Sequence, residues 1–260
     1  MYTLEGRTCV FAGATGGDGV EAAKALCRGG MNVVMMTHQL QQAEKVMDEI
    51  NHENYKGKAY VVLDGLCQQP PKTDEEVFDE IYEKFGSIDV IICNTGDDGF
   101  EDSIDLVDTK MLLHSIDHLV GGSFSMLKNA LPYLRKSKAA RVIFMTTVEG
   151  VKGGILESFT NAVAKGAVLS LTKNCAARLA KENINVNCIA KGAIERLKAC
   201  GIRGEEQLQK KDTRSFMSAI PIGRMGTAED LAQAVCYLAS EEISFTTGTV
   251  LDLSGGMNLM

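Results

Sequence analysis

Between Val10 and Gly19 the chain reads Val-Phe-Ala-Gly-Ala-Thr-Gly-Gly-Asp-Gly, an apolar run that breaks into four glycines within seven residues and then resumes a helical pattern. Glycine tolerates positive φ and close backbone approach, and a helix N-terminus offers unpaired amides at the positive end of its dipole. A strand, this turn and a helix therefore make a cradle for a phosphate. Gly13, Gly17 and Gly19 fall as G-x-x-x-G-x-G, looser than the G-x-G-x-x-G dinucleotide fingerprint, so a plain tight connection is the competing reading. A second constellation, His114 and His118, is an i,i+4 pair on an expected helix. It lacks a third ligand nearby in sequence, and no metal site is expected.

The elements that must position the glycine turn follow from the order of the chain. Continuous apolar runs at Thr8–Ala12, Val33–Met36, Tyr60–Leu63, Val90–Cys93, Arg141–Thr146, Asn185–Ala190 and Thr249–Leu253 read as buried parallel strands. Helical patterns at about Gly19–Arg28, Gln41–Ile50, Asp74–Phe85, Asp108–Leu134, Glu157–Ala180 and Ala228–Ala239 alternate with them. Such alternation predicts an α/β fold, a doubly wound parallel seven-stranded sheet with helices on both faces. With 260 residues, one domain spanning 1–260 is expected. Cys67–Lys72, with its Pro70-Pro71 pair, reads as a surface loop, and 193–220, charged and without an apolar face, as a mobile lid over the carboxyl ends of the strands.

Composition narrows the partners. A net charge of −7 argues against a general nucleic-acid surface and favours a small-molecule substrate. Eight scattered cysteines without a C-x-x-C pair, together with no secretory or bilayer-spanning apolar run, lead us to expect reduced thiols, no membrane association and a cytoplasmic location.

Over essentially its whole length the chain resembles the short-chain dehydrogenase/reductase family. The loop Gly13–Gly19 matches that family's T-G-x-x-x-G-x-G with Ala12 for threonine; Asp64 stands at its adenine contact; Cys93-Asn94-Thr95-Gly96 is similar to its N-N-A-G. The run Ile220-Pro-Ile-Gly-Arg-Met-Gly-Thr-Ala-Glu-Asp230, then Leu238-Ala-Ser240, Thr247-Gly248 and Gly255-Gly256, resembles its closing framework. The resemblance implies a Rossmann fold, NAD or NADP as cofactor, and a homo-oligomer, dimer or tetramer, built through the two long helices. The small residues Ala162, Ala164, Gly166 and Ala167 suit close helix approach there. It also implies cofactor binding by Gly13, Thr15, Gly17, Asp18, Gly19, Thr37, His38, Asp64, Asn94, Gly96, Lys165, Gly192 and Ile194.

The departures gather where the family does its chemistry. In Asn161-Ala-Val-Ala-Lys165, Lys165 matches the lysine that holds the nicotinamide ribose, but Asn161 stands where a tyrosine should exchange a proton with the substrate oxygen. An amide is not a usable acid or base near neutral pH. Thr147 replaces the family's serine and keeps its hydroxyl; Leu119 replaces a helix asparagine that supports a proton-relay water; Lys191-Gly192-Ala-Ile-Glu-Arg196 stands for P-G-x-x-x-T. Asp18 puts a carboxylate at the phosphate turn, where it is expected to cap the helix and repel phosphate, weakening the cofactor. Thr37 removes the ribose acid, and His38 tilts the preference toward NADP.

Three functions follow as expectations. The first is an NAD(P)-dependent oxidoreductase with an altered active site. The second is a family-derived binding or assembly subunit without turnover. The third is an ene-reductase in which Glu149 serves as the acid, as the resemblance to tyrosine-lacking ene-reducing members of the family suggests.

Overall fold

The computed structural model describes residues 2–96, 103–154, 157–195 and 218–259. Seven strands, Thr8–Ala12 (β1), Asn32–Thr37 (β2), Ala59–Leu63 (β3), Val90–Cys93 (β4), Ala140–Thr147 (β5), Ile184–Lys191 (β6) and Val250–Leu253 (β7), form one sheet. The order is β3-β2-β1-β4-β5-β6-β7, and every neighbouring pair is parallel. The doubly wound seven-stranded Rossmann sheet read from the sequence is therefore present. Strand order reverses between β1 and β4, which is where such sheets open a crevice at their carboxyl ends.

Both faces are covered, which is why the strands read as continuous apolar runs. Helices Asp18–Arg28 (α1), Leu40–His52 (α2) and Ala228–Ala239, the last described α-helix, cover one face. Leu26, Val46, Ile50, Leu231 and Val235 there enclose Phe11, Val33 and Ile92. Asp74–Phe85 (α3), Gly122–Leu134 and Phe159–Leu179 cover the other, with Phe78, Ile81, Leu127, Val168 and Leu179 against Val10, Ile91 and Phe144. The capping box of Thr73 and Glu76 starts α3, and Gly86, at φ 74°, ends it in the left-handed region.

Two differences from the sequence pattern bear on function. The long helix expected over 108–134 is Thr109–Ile116 (α4), a π-helical turn Asp117–Gly121, and Gly122–Leu134 (α5). Leu119, on that turn, is buried. The helix expected from Glu157 starts at Phe159 instead, because Ser158 caps it by accepting from the Asn161 backbone N–H. A short helix, Val148–Lys152 (α6), precedes this α7, so Glu157 lies on the connection between them. The helix Ala228–Ala239 is α8, capped by Thr227 and Asp230. Most of the segment read as a lid, residues 196–217, lies outside the described residues, as does Arg196. Ala193 to Glu195 are tied down by backbone hydrogen bonds to Gly226.

Candidate active site

The glycine turn is built for close approach. A Cβ on Gly13, at φ +83°, would collide with the Asn94 carbonyl, and one on Gly19 would collide with the Gly13 carbonyl. These two glycines seat α1 against β1 and β4. At Gly16, Gly17 and Gly96 a Cβ would meet nothing within 4 Å, so the open side of the turn faces a space rather than packed protein. That pairing of a closed and an open face fits a backbone cradle for a phosphate group of a dinucleotide.

Asp18, however, does not cap its helix. Gly17 is the cap residue and makes no side-chain hydrogen bond, while the Asp18 carboxylate accepts from Lys191 Nζ at 2.9 Å and from Asn94 Nδ2 at 3.1 Å. Lys191 Nζ also donates to Asn94 Oδ1 at 2.8 Å. One ion-paired triad thus ties α1, the end of β4 and the end of β6. Burial opposes the charge on Asp18, but the attraction and hydrogen bond of Lys191, with the hydrogen bond from Asn94, hold its carboxyl below its ordinary value. The repulsion toward phosphate expected from Asp18 is largely cancelled by its partner.

A second polar group lies at the ends of β5 and β6. Lys165, on α7, is 5% exposed and donates to the carbonyls of Thr95 at 2.8 Å and Met145 at 3.2 Å. Burial, with repulsion from Lys191, brings its ammonium down to about 8. Thr147 caps α6 by accepting from Gly150 N at 3.3 Å, and donates its hydroxyl to Glu157 Oε2 at 3.0 Å. Asn161 Nδ2 donates to the same oxygen at 2.8 Å, whereas Asn161 Oδ1 is buried without a partner among the described residues. Glu149, also buried, accepts the backbone N–H of Glu157 at 2.6 Å, which clamps the connection between α6 and α7.

The remaining residues named from the sequence spread along the crevice. At the ends of β2 and β3, the Asp64 backbone N–H donates to the Thr37 carbonyl at 2.9 Å, and the Thr37 hydroxyl accepts from Gln39 N at 3.0 Å. His38 beside them is exposed. Thr15 O accepts from the Gln42 side chain, Gly192 packs on Ser254, and Ile194 bridges to Gly226. The His114 and His118 rings stack at 6.4 Å, and His118 Nε2 lies 3.1 Å from Gly96 O. Part of the small-residue face of α7 is already used: Ala164 is fully buried and Gly166 abuts the Gly150 carbonyl. Two site residues escaped the sequence reading. Lys191 was signalled only by a charge standing at a motif proline, and Glu157 was hidden as the first residue of an expected helix.

A parallel doubly wound sheet whose strand order reverses at a glycine-rich turn defines an α/β protein of the Rossmann class. The profile of a family described as enoyl-(acyl carrier protein) reductase matches residues 13–258, and the chain belongs to this family, within the short-chain dehydrogenases/reductases. It is 29% identical over 261 residues to a 3-oxoacyl-(acyl-carrier-protein) reductase of Thermotoga maritima, covering 98% of each chain. It is 28% identical to a 7alpha-hydroxysteroid dehydrogenase of Paraclostridium sordellii, with 100% of this chain and 94% of that one covered. It is also 28% identical to an L-rhamnose 1-dehydrogenase (NAD(P)(+)) of a Sphingomonas species, with 99% and 98% covered. Among the described residues no helix is long and apolar enough to cross a membrane.

Proposed function

We propose that the protein is an NAD(P)-dependent oxidoreductase interconverting a small carbonyl compound and its alcohol, at a site that keeps Lys165 and Thr147 and carries Asn161 in place of the phenol. The observation that carries this reading is Lys165. A lysine ammonium held almost wholly out of water on two strand-end carbonyls is costly unless it serves a ligand, and its lowered value is typical of functional groups. The full-length similarity to reductases and dehydrogenases supports the same chemistry.

When bound, the nicotinamide supplies or accepts a hydride. The chain's part is to hold and orient. The open glycines 16 and 17 and the α1 N-terminus would hold the phosphates, Asp64, Thr37 and His38 the adenosine end, and Gly192 and Ile194 the nicotinamide end. The exposed His38 favours NADP over NAD. The Thr147 hydroxyl, oriented by Gly150 and Glu157, would bind the substrate oxygen by turning its one proton from Glu157 to it. Asp18 and Glu21 both lie in the first turn of α1, and each is paired with a cation, Lys191 and Lys24, which reduces their repulsion toward a phosphate.

Calorimetric titration with NADPH, NADH and their oxidised forms tests this. Binding of a dinucleotide that Lys165→Met weakens is expected; absence of binding by all four sinks the proposal. The binding-subunit reading draws on the triad of Asp18, Lys191 and Asn94, which cross-ties three elements around the crevice. Dinucleotide binding without turnover of any carbonyl would favour it.

A further inference from the structure

We propose that Glu157 is the proton donor of this site, supplying through its carboxyl the function for which Asn161 has no chemistry; the inference rests on the oxidoreductase reading above. Three features of geometry carry it. Glu157 lies just outside α7, so its side chain is free to turn inward rather than continue the helix. Its Oε2 receives both the Thr147 hydroxyl and the Asn161 amide, which joins it to the substrate-binding hydroxyl and to the position of the missing phenol. Its backbone is clamped by the buried Glu149, which fixes where the carboxyl points.

The electrostatics suit the role. The charged groups facing Glu157 are Glu149 from α6, Lys165 from α7 and Lys191 from β6. Burial raises the Glu157 carboxyl above the ordinary glutamate range, and Glu149 adds to this, against the Thr147 hydrogen bond and the two lysines. A raised carboxyl retains its proton closer to neutrality, where a general acid works best. In the reduction, the carbonyl carbon receives the hydride of a reduced nicotinamide dinucleotide, and the carbonyl oxygen takes the proton of the Glu157 carboxyl. The products are the alcohol, the oxidised nicotinamide and the Glu157 carboxylate, which solvent reprotonates. The orphaned Asn161 Oδ1 then has a task as an acceptor for a substrate hydroxyl or a relay water.

The test uses the full chain with NADPH or NADH, and acetoacetyl thioester and butane-2,3-dione as probes. Glu157→Gln keeps an oxygen for Thr147 and Asn161 and removes the proton. It is expected to lower kcat about 10²- to 10⁴-fold, the range of one positioned acid, with dinucleotide affinity unchanged. The alkaline step in kcat that the Glu157 carboxyl sets should vanish with it, while the later step set by the Lys165 ammonium, at about 8, remains. Adding Asn161→Tyr should restore part of the lost rate by supplying a phenol. A readout independent of turnover is the ¹³C carboxyl titration of the free protein, where the resonance missing from Glu157→Gln should titrate above about 4.3. Turnover that survives Glu157→Gln with its pH profile intact, or a Glu157 resonance in the ordinary range, overturns the assignment alone. A protein that binds dinucleotide yet reduces neither probe overturns the oxidoreductase reading, and the assignment with it.

Discussion

Asp18→Asn isolates the charge of the triad, because the amide keeps an oxygen for Lys191 while removing the anion. The two side chains are 17% and 20% exposed, and their atoms meet at 2.9 Å. Stripping one partner from a buried pair costs about 3–5 kcal/mol. Partial exposure and the surviving hydrogen bond to Asn94 reduce this to roughly 1–2 kcal/mol, a fall in Tm of about 2–8 °C for a domain of this size. The pH dependence has a definite sign. Since the folded-state carboxyl is held below its ordinary value, the stability it adds is complete above about pH 4 and is lost as the pH falls through the lower folded value. The gap between variant and unaltered protein therefore closes on acidification below about pH 4. In the same variant the Lys191 charge is no longer cancelled, and removing an acid from the first turn of α1 is worth about 0.3–1 kcal/mol toward an anion, so NADPH should bind roughly 2- to 5-fold tighter. Differential scanning fluorimetry across pH and calorimetric titration measure the two effects. An unchanged Tm at pH 7, a gap that persists undiminished at pH 3, or unchanged affinity refutes the reasoning.

Lys165 gives a second pH signature. Its folded value of about 8 lies below the unfolded value of about 10.4, so the unfolded chain binds more protons between the two, and stability should rise with pH through that window; Lys165→Met should abolish the rise in Tm. Leu119→Asn, although it restores the residue type of the family's relay, places an amide in a site only 1% exposed; a loss of about 2–4 kcal/mol, read by urea denaturation, is expected. Exposed Leu113, Phe124, Phe159 and Val163 on α4, α5 and α7 lead us to expect a dimer or tetramer by size-exclusion with light scattering, and Phe124→Lys should shift it toward monomer.

The framework was legible because its signals are local. Buried parallel strands are apolar without interruption, as Val90–Cys93 and Val142 to Met145 are, and their spacing by helical patterns leaves the doubly wound arrangement as the natural solution. The start of α7 misled by two residues, because a Ser158 cap outcompetes the helical propensity of the preceding Glu157. That small shift is what brings a carboxylate to Thr147 and Asn161. The π-helical turn left no periodic trace either, since one register change within a continuous apolar pattern moves no residue type.

Asp18 and Lys191 raise a harder point. Read singly along the chain, each is a departure that damages the cofactor end, a carboxylate at the phosphate turn and a lysine for a proline. They lie 173 residues apart, and only the meeting of β6 with the N-terminus of α1 shows them to be one contact. An isolated charge at either position would carry a desolvation cost that the other removes. The two substitutions therefore have to be judged together, and the same holds for Asn161 and Glu157, whose hydrogen bond sets an amide with no acid chemistry beside a carboxyl that has it. Pairing of this kind is required of any folded chain, because an unpartnered charge at either end of the crevice would destabilise it whether or not the site turns over.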